Sequence, residues 1–209
     1  MNPFKDIVAT EEEIRELIGF PSEVVQRKTI TELDSHCRDF IAMSPLLFMA
    51  TSDIHGNCDV SPRGDAPGFV YIIDHRHIVI PERPGNRRID SMRNILSNPR
   101  AGLNFLIPGL EETLRVNGEA YVIKDDELLE RMKANGKKPL LGIGVRVEEA
   151  FIHCAKSFKR SGAWNPDTWA EQSELPSIPH MISAHVNSEP FTVEKIREGL
   201  TESYEKRLY

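Results

Sequence analysis

The sequence predicts a mainly β fold: a small antiparallel sheet that closes or nearly closes into a barrel, with flanking helices. Three observations lead there. About six or seven strand-like runs recur between residues 46 and 154, most are joined by short polar turns, and helical periodicity is confined to brief interruptions and the two ends. Hairpin connections exclude a doubly wound α/β sheet, whose parallel strands need long crossovers. A chain of 209 residues can bury roughly 70% of its unfolded surface, enough for one core with appendages.

The first forty residues read as helical. Thr10 and Glu13 form a capping box, Ile14, Leu17 and Ile18 make an apolar stripe, and Gly19 with Pro21 ends it. Thr31 can cap a second helix bearing Leu33, Cys37, Phe40 and Ile41, which Ser44-Pro45 stops. Residues 46–52 are a short apolar strand. The turn Asp53-Ile54-His55-Gly56-Asn57 then leads to a return strand over 58–61. Residues 69–73 and 77–80 pair across Asp74-His75-Arg76. Helical period returns over 86–98 with Ile89, Met92, Ile95 and Leu96. Residues 101–107 and 113–124 form a third β pair around Pro108-Gly109, with Gly118 marking a bulge or bend. A short helix over 125–134 presents Leu128, Leu129 and Met132, and a long strand over 140–154 completes the sheet. An irregular stretch rich in Pro and Trp follows, then a terminal helix from Thr192 aligning Val193, Ile196, Leu200 and Tyr204.

Composition narrows the function. With 40% apolar and 28% charged residues the chain is neither disordered nor of low complexity. The net charge of −6 argues against a phosphate-tracking nucleic-acid surface. Cys37, Cys58 and Cys154 are odd in number and widely spaced, so no disulfide framework or CxxC motif is available, and a reducing cytoplasm fits best. No apolar run is long enough for a membrane span, and the start, Met1-Asn2-Pro3-Phe4-Lys5-Asp6, lacks the apolar core of a signal peptide.

Charge is unevenly distributed. Up to residue 43, five basic residues stand against nine acidic ones, an acidic lead-in of about −4. Residues 81–100 reverse the sign, with Arg83, Arg87, Arg88, Arg93 and Arg100 against Glu82 and Asp90. This segment runs from a strand end through Pro84-Gly85-Asn86 into the predicted helix start, where free N–H groups and arginine forks suit a phosphate. A solvated basic loop is the alternative. Ser61-Pro62-Arg63-Gly64-Asp65 offers a hydroxyl, a cation and close backbone approach, or else a tight turn stabilised by Asp65. Lys156-Ser157-Phe158-Lys159-Arg160-Ser161-Gly162-Ala163-Trp164 combines three cations with an aromatic and suits a planar anionic ligand, or else Trp164 and Trp169 lie in the core with the cations at the surface.

Other chemistry finds no complete set. His75 and His77 have no recognisable partners for a metal, and His153 and Cys154 point to opposite faces of a strand, so neither a metal centre nor a Cys–His pair is expected. Gly142-Ile143-Gly144 lacks the third glycine of a dinucleotide fingerprint.

Taken in order on a β-rich domain, the three basic segments resemble those of the pyridoxamine 5′-phosphate oxidase-like, FMN-binding split-barrel flavoproteins. The resemblance runs from about Ser44 to Trp164. It is carried by Ser61-Pro62-Arg63-Gly64-Asp65 with Gly68-Phe69-Val70, by Ile80-Pro81-Glu82-Arg83-Pro84-Gly85-Asn86-Arg87-Arg88-Ile89-Asp90-Ser91 with Asn94-Ile95, and by His153-Cys154-Ala155-Lys156 leading to Arg160-Ser161-Gly162-Ala163-Trp164. It implies a small antiparallel split β-barrel and a homodimer with FMN in clefts at the subunit interface. Ser61, Arg63, Asn86, Arg87, Arg88 and Ser91 are then the expected cofactor contacts from one subunit, and Lys156, Arg160 and Trp164 close the flavin from its partner.

The implied activity is that of an FMN-dependent oxidoreductase with hydride transfer through flavin N5, no assigned catalytic side chain and no metal. The alternative is a non-catalytic flavin- or haem-binding protein acting as carrier, sensor or sequestering agent. The ending Glu205-Lys206-Arg207-Leu208-Tyr209 departs from the Arg-Leu-x-Pro tail of pyridoxamine phosphate oxidase itself, so the resemblance does not extend to vitamin B6 oxidation. Three units are expected: an N-terminal helical extension (1–43), the FMN-binding domain (44–165), and a C-terminal irregular segment and helix packing on it (166–209).

Overall fold

The computed structural model describes residues 3–209. Met1 and Asn2, on which the expectation of a missing signal peptide partly rests, lie outside the described residues. In chain order the elements are α1 (Glu11–Ile18), α2 (Glu23–Arg27), α3 (Ser35–Met43), β1 (Leu46–Ser52), β2 (Cys58–Gly64), β3 (Tyr71–Ile72), β4 (His77–Pro81), α4 (Asp90–Ser97), β5 (Arg100–Leu106), β6 (Thr113–Ile123), α5 (Asp126–Arg131), β7 (Gly142–His153), α6 (Lys156–Ser161), α7 (Ile178–Val186) and α8 (Val193–Lys206). The strands form one antiparallel sheet in the order β2-β1-β5-β6-β7-β4-β3.

The fold class differs from the sequence expectation in two respects. More residues lie in helices than in strands, so the molecule is mixed α and β and not mainly β. The sheet does not close into a barrel: β2 and β3 are its two open edges. The physical reason lies in the edges themselves. β3 has only two residues, too few to extend the ladder, and β2 has no fully buried side chain and carries Pro62, which has no N–H to donate.

Local chemistry explains the helix boundaries. Thr10 Oγ1 accepts from the Glu13 N–H at 3.2 Å and starts α1, and the Gly19 N–H closes it on the Arg15 carbonyl at 2.8 Å. α3 begins later than predicted because Ile30 bridges to Ala150 and the Leu33 N–H donates to the His75 carbonyl, tying residues 30–33 to the sheet and out of the helix. Asp34 then caps it by accepting from the Cys37 N–H at 2.8 Å. Three helices that the sequence reading did not identify, α2, α6 and α7, are short and bury no side chain. The apolar stripe of α1 is likewise exposed.

The core sits under one face of the sheet. Leu47, Met49, Leu103, Phe105, Leu114, Val116, Ile143 and Val145 meet Leu33, Cys37 and Ile41 from the lead-in and Ile95 from α4. Burial pushes the Cys37 thiol up to about 11, and all three cysteines are free. The other face is less covered. The cross-strand rows Val60–Ala50–Gly102–Asn117–Glu149 and Pro62–Phe48–Asn104–Arg115–Phe151 lie there, leaving Phe48 and Val60 exposed, with Val60 lining a hollow of about 410 Å³.

The predicted bulge falls where expected, between Asn117 and Gly118. A Cβ at Gly118 would lie 2.1 Å from the Arg146 carbonyl oxygen, closer than any van der Waals contact allows. Gly118→Ala is therefore expected to cost on the order of 2 kcal/mol through forced strand separation. A urea melt that matches wild type would contradict that account.

Candidate functional site

The predicted contacts on β2 and α4 come together. Asp59, Ser61 and Arg63 alternate along β2 and point to the face that α4 covers. α4 is fixed on β1 by two amide side chains, Asn94 Nδ2 donating to Thr51 Oγ1 at 3.1 Å and Asn98 Nδ2 donating to the Ser52 carbonyl at 3.0 Å. This seats Ser91, 2% exposed, against β2. Arg63 Nη2 donates to Ser91 Oγ at 3.3 Å, Ser91 Oγ donates to Asp59 Oδ2 at 2.6 Å, and Ser61 Oγ donates to the same oxygen at 2.9 Å.

Arg63 meets a second carboxylate. Its Nε lies 3.4 Å from Glu82 Oε2 without hydrogen-bond geometry, so both buried atoms lack a hydrogen-bond partner. Burial pushes the Glu82 carboxyl above its ordinary value, and the Arg63 charge only partly offsets this. The buried guanidinium keeps one unused donor beside the hydroxyls of Ser61 and Ser91.

The arginine segment differs from its sequence reading. The helix starts at Asp90, four residues later than expected, because Arg87 (φ 61°) and Ile89 (φ 55°) adopt left-handed backbone. Non-glycine residues there carry strain of about 1–3 kcal/mol each, a feature that clusters at ligand sites. Asn86 orders this loop by accepting from the Arg88 N–H at 3.0 Å. The local excess of positive charge is also largely paired: Arg83 with Asp65, Arg88 and Arg93 with Asp90, and Arg100 with Glu148. Arg87 has no ion-pair partner among the described residues.

Lys156, Arg160 and Trp164 lie elsewhere. α6 and the residues after it enclose a hollow of about 610 Å³ with residues 109–112, lined by Phe158, Lys159, Arg160 and Trp164 among others. Trp164 stacks on Phe158 with centroids 5.4 Å apart and donates its indole N–H to the Leu110 carbonyl at 2.9 Å. Lys159 pairs with Glu111. Among the described residues no hydrogen bond or ion pair joins this hollow to Ser61, Arg63 or Ser91 within one chain. Trp169, the other tryptophan of this stretch, is 60% exposed and not in the core.

Three carboxylates surround Arg63 and Arg83: Asp59, which sequence reasoning missed, and Glu82 and Asp65, which it named only as a counter-charge and a turn stabiliser. Asp59 was legible, since it lies two residues before Ser61 in a strand and so shares its face. Among the described residues no group of three or more His, Cys, Asp or Glu could hold a metal ion, and no helix is long and apolar enough to cross a membrane.

The family model described as pyridoxamine 5′-phosphate oxidase matches residues 33–154, more than half of the chain. No curated protein matches it. Among solved structures, HupZ of Group A Streptococcus is 21% identical over 57% of this chain and 93% of its own, with a TM-score of 0.46. An FMN-binding protein of Syntrophomonas wolfei is 12% identical over 56% of this chain and 81% of its own, with a TM-score of 0.43. HutZ, the haem storage protein of Vibrio cholerae, is 16% identical over 57% of this chain and 94% of its own, with a TM-score of 0.39.

Proposed function

Since the chain belongs to the pyridoxamine 5′-phosphate oxidase family, we propose that it binds FMN, with the phosphate held where β2 meets α4. The observation that supports this reading best is the buried Arg63 Nε, which lacks a hydrogen-bond partner beside the hydroxyls of Ser61 and Ser91. Arg63 and the two serines would hold the phosphate. Asn86, Arg87 and Arg88 would close over it from the strained loop, Arg87 with its charge unspent. When bound, FMN supplies electron or hydride transfer at its ring. The chain's own contribution is to neutralise the phosphate and fix its orientation.

Binding without turnover, as a carrier, sensor or sequestering protein, is the first reading. The Asp59 carboxylate is held by Ser61 and Ser91 and the Asp65 carboxylate by Arg83, and Glu82, whose Oε2 has no hydrogen-bond partner, faces the Arg63 guanidinium, so none of the three stands free as an acid or base. An FMN-dependent oxidoreductase is the second reading, favoured by the oxidase family match. In both, two copies associate through the exposed sheet face with Phe48 and Val60, and Lys156, Arg160 and Trp164 of one copy complete the cleft of the other. In both, residues 1–43 and 166–209 are appendages to a binding domain at 44–165.

The visible spectrum of the purified protein, followed by mass identification of any released chromophore, tests this directly. A flavin spectrum, or its appearance after incubation with FMN, is expected. A protein that stays colourless overturns the proposal, and a Soret band assigns the site to haem. With flavin present, anaerobic bleaching by NADH or NADPH selects the oxidoreductase reading over the carrier.

A further inference from the structure

The phosphate-site reading leaves one dense set of contacts unused. The Tyr209 hydroxyl donates to Asp65 Oδ1 at 2.6 Å, the Ala66 N–H donates to the same oxygen at 2.7 Å, and Arg83 Nε donates to Asp65 Oδ2 at 2.6 Å. The guanidinium of Arg83 also stands 5.9 Å from the centroid of the Tyr209 ring. Lys137 Nζ donates to the Tyr209 main-chain oxygen at 2.6 Å. One aromatic residue is thus gripped at its hydroxyl, its ring and its backbone by three segments: the end of β2, the residues after β4 and the turn after α5.

The carboxylate at the centre is deeply placed, with the Asp65 side chain 4% exposed and Arg83 16% exposed. Burial opposes its charge, but the Tyr209 hydroxyl, the Ala66 N–H and Arg83 outweigh burial and hold the carboxyl below its ordinary value. Asp65 follows Arg63 by two residues, and Arg83 directly follows Glu82. The two segments that Tyr209 ties together are therefore the two that bring Arg63 and Glu82 face to face.

We propose that Tyr209 is a positioning residue of the phosphate pocket: by holding Asp65 and Arg83 together it fixes the spacing of Arg63 and Glu82, and so the shape and charge of the anion site. This rests on the FMN reading above. It makes Arg83 a strut and not a phosphate contact, because its Nε is committed to Asp65 and its guanidinium stands over the Tyr209 ring.

Two measurements on the intact chain test the proposal. Hydrogen exchange of the FMN-free protein reports residues 62–66 and 81–85, and quenching of flavin fluorescence reports the Kd for FMN. Tyr209→Phe keeps the ring over Arg83 and removes only the hydroxyl. It is expected to speed exchange in both segments and raise the Kd about fivefold, in a protein that a thermal melt shows still folded. Tyr209→Ala is expected to do both more strongly. Unaltered exchange in both segments of Tyr209→Ala overturns the positioning role, as does an FMN Kd within twofold of wild type. Failure of wild-type protein to take up FMN overturns the ligand reading instead, and exchange alone then decides the role of Tyr209.

Discussion

Arg63→Ala is expected to weaken FMN binding by about a hundredfold. Truncating one partner of a buried, hydrogen-bonded charge pair costs roughly 2–5 kcal/mol, and each 1.4 kcal/mol is about tenfold in affinity. Arg63 is the arginine best placed for that role: its side chain is 17% exposed, one donor is orphaned and another reaches Ser91. Removing it also leaves Glu82 facing the pocket without a compensating charge, and this carboxylate would repel a phosphate. Arg63→Lys, which keeps the charge and loses the fork, should recover part of the affinity. The double replacement of Arg87 and Arg88 by Ala should weaken binding less, because both sit on an exposed loop and Arg88 is already paired with Asp90. Equilibrium titration with FMN, beside a thermal melt showing each variant folded, decides the order. Equal affinity of Arg63→Ala and wild type would remove the phosphate from β2.

Ile41→Ala is expected to have the largest effect on stability, about 3 kcal/mol, through a cavity at a fully buried site. In a chain of this length that corresponds to a fall in Tm of about 9 °C. Ile14→Ala in α1, where the side chain is 43% exposed, should stay within about 0.5 kcal/mol. The comparison separates the two parts of the acidic lead-in. α3 is built into the main core with Leu33 and Cys37, whereas α1 touches little. Equal losses in denaturant melts would show that α1 is packed as tightly as α3.

Much of the fold was legible because its signals are local. The hairpins β1–β2, β3–β4 and β5–β6 follow from apolar runs broken by polar turns, and the bulge follows from one glycine. Closure was not legible, since it depends on whether strands far apart in sequence can pair, and neither the two-residue β3 nor the proline-bearing β2 continues the ladder. The helical period through Ile89, Met92 and Ile95 gave no sign that Arg87 and Ile89 would turn left-handed.

The site was legible in part. Ser61, Arg63 and Ser91 converge as their motif implied, but local charge counting overstated how positive the pocket would be. Asp65 and Glu148, which pair with Arg83 and Arg100, come from outside residues 81–100. The contact between Tyr209 and Asp65 joins residues 144 positions apart, and nothing near either residue announces it.

The open rim of β2 bears on how this chain can associate. A free strand edge is an invitation to add further strands without limit, the geometry from which fibres grow. Pro62 interrupts that rim by withholding an N–H, and at the opposite end of the sheet β3 is too short to template a newcomer. Growth by sheet extension is therefore disfavoured at both ends, and the proposed pairing through the broad face with Phe48 and Val60 would, as a twofold contact, close on itself and stop at two copies.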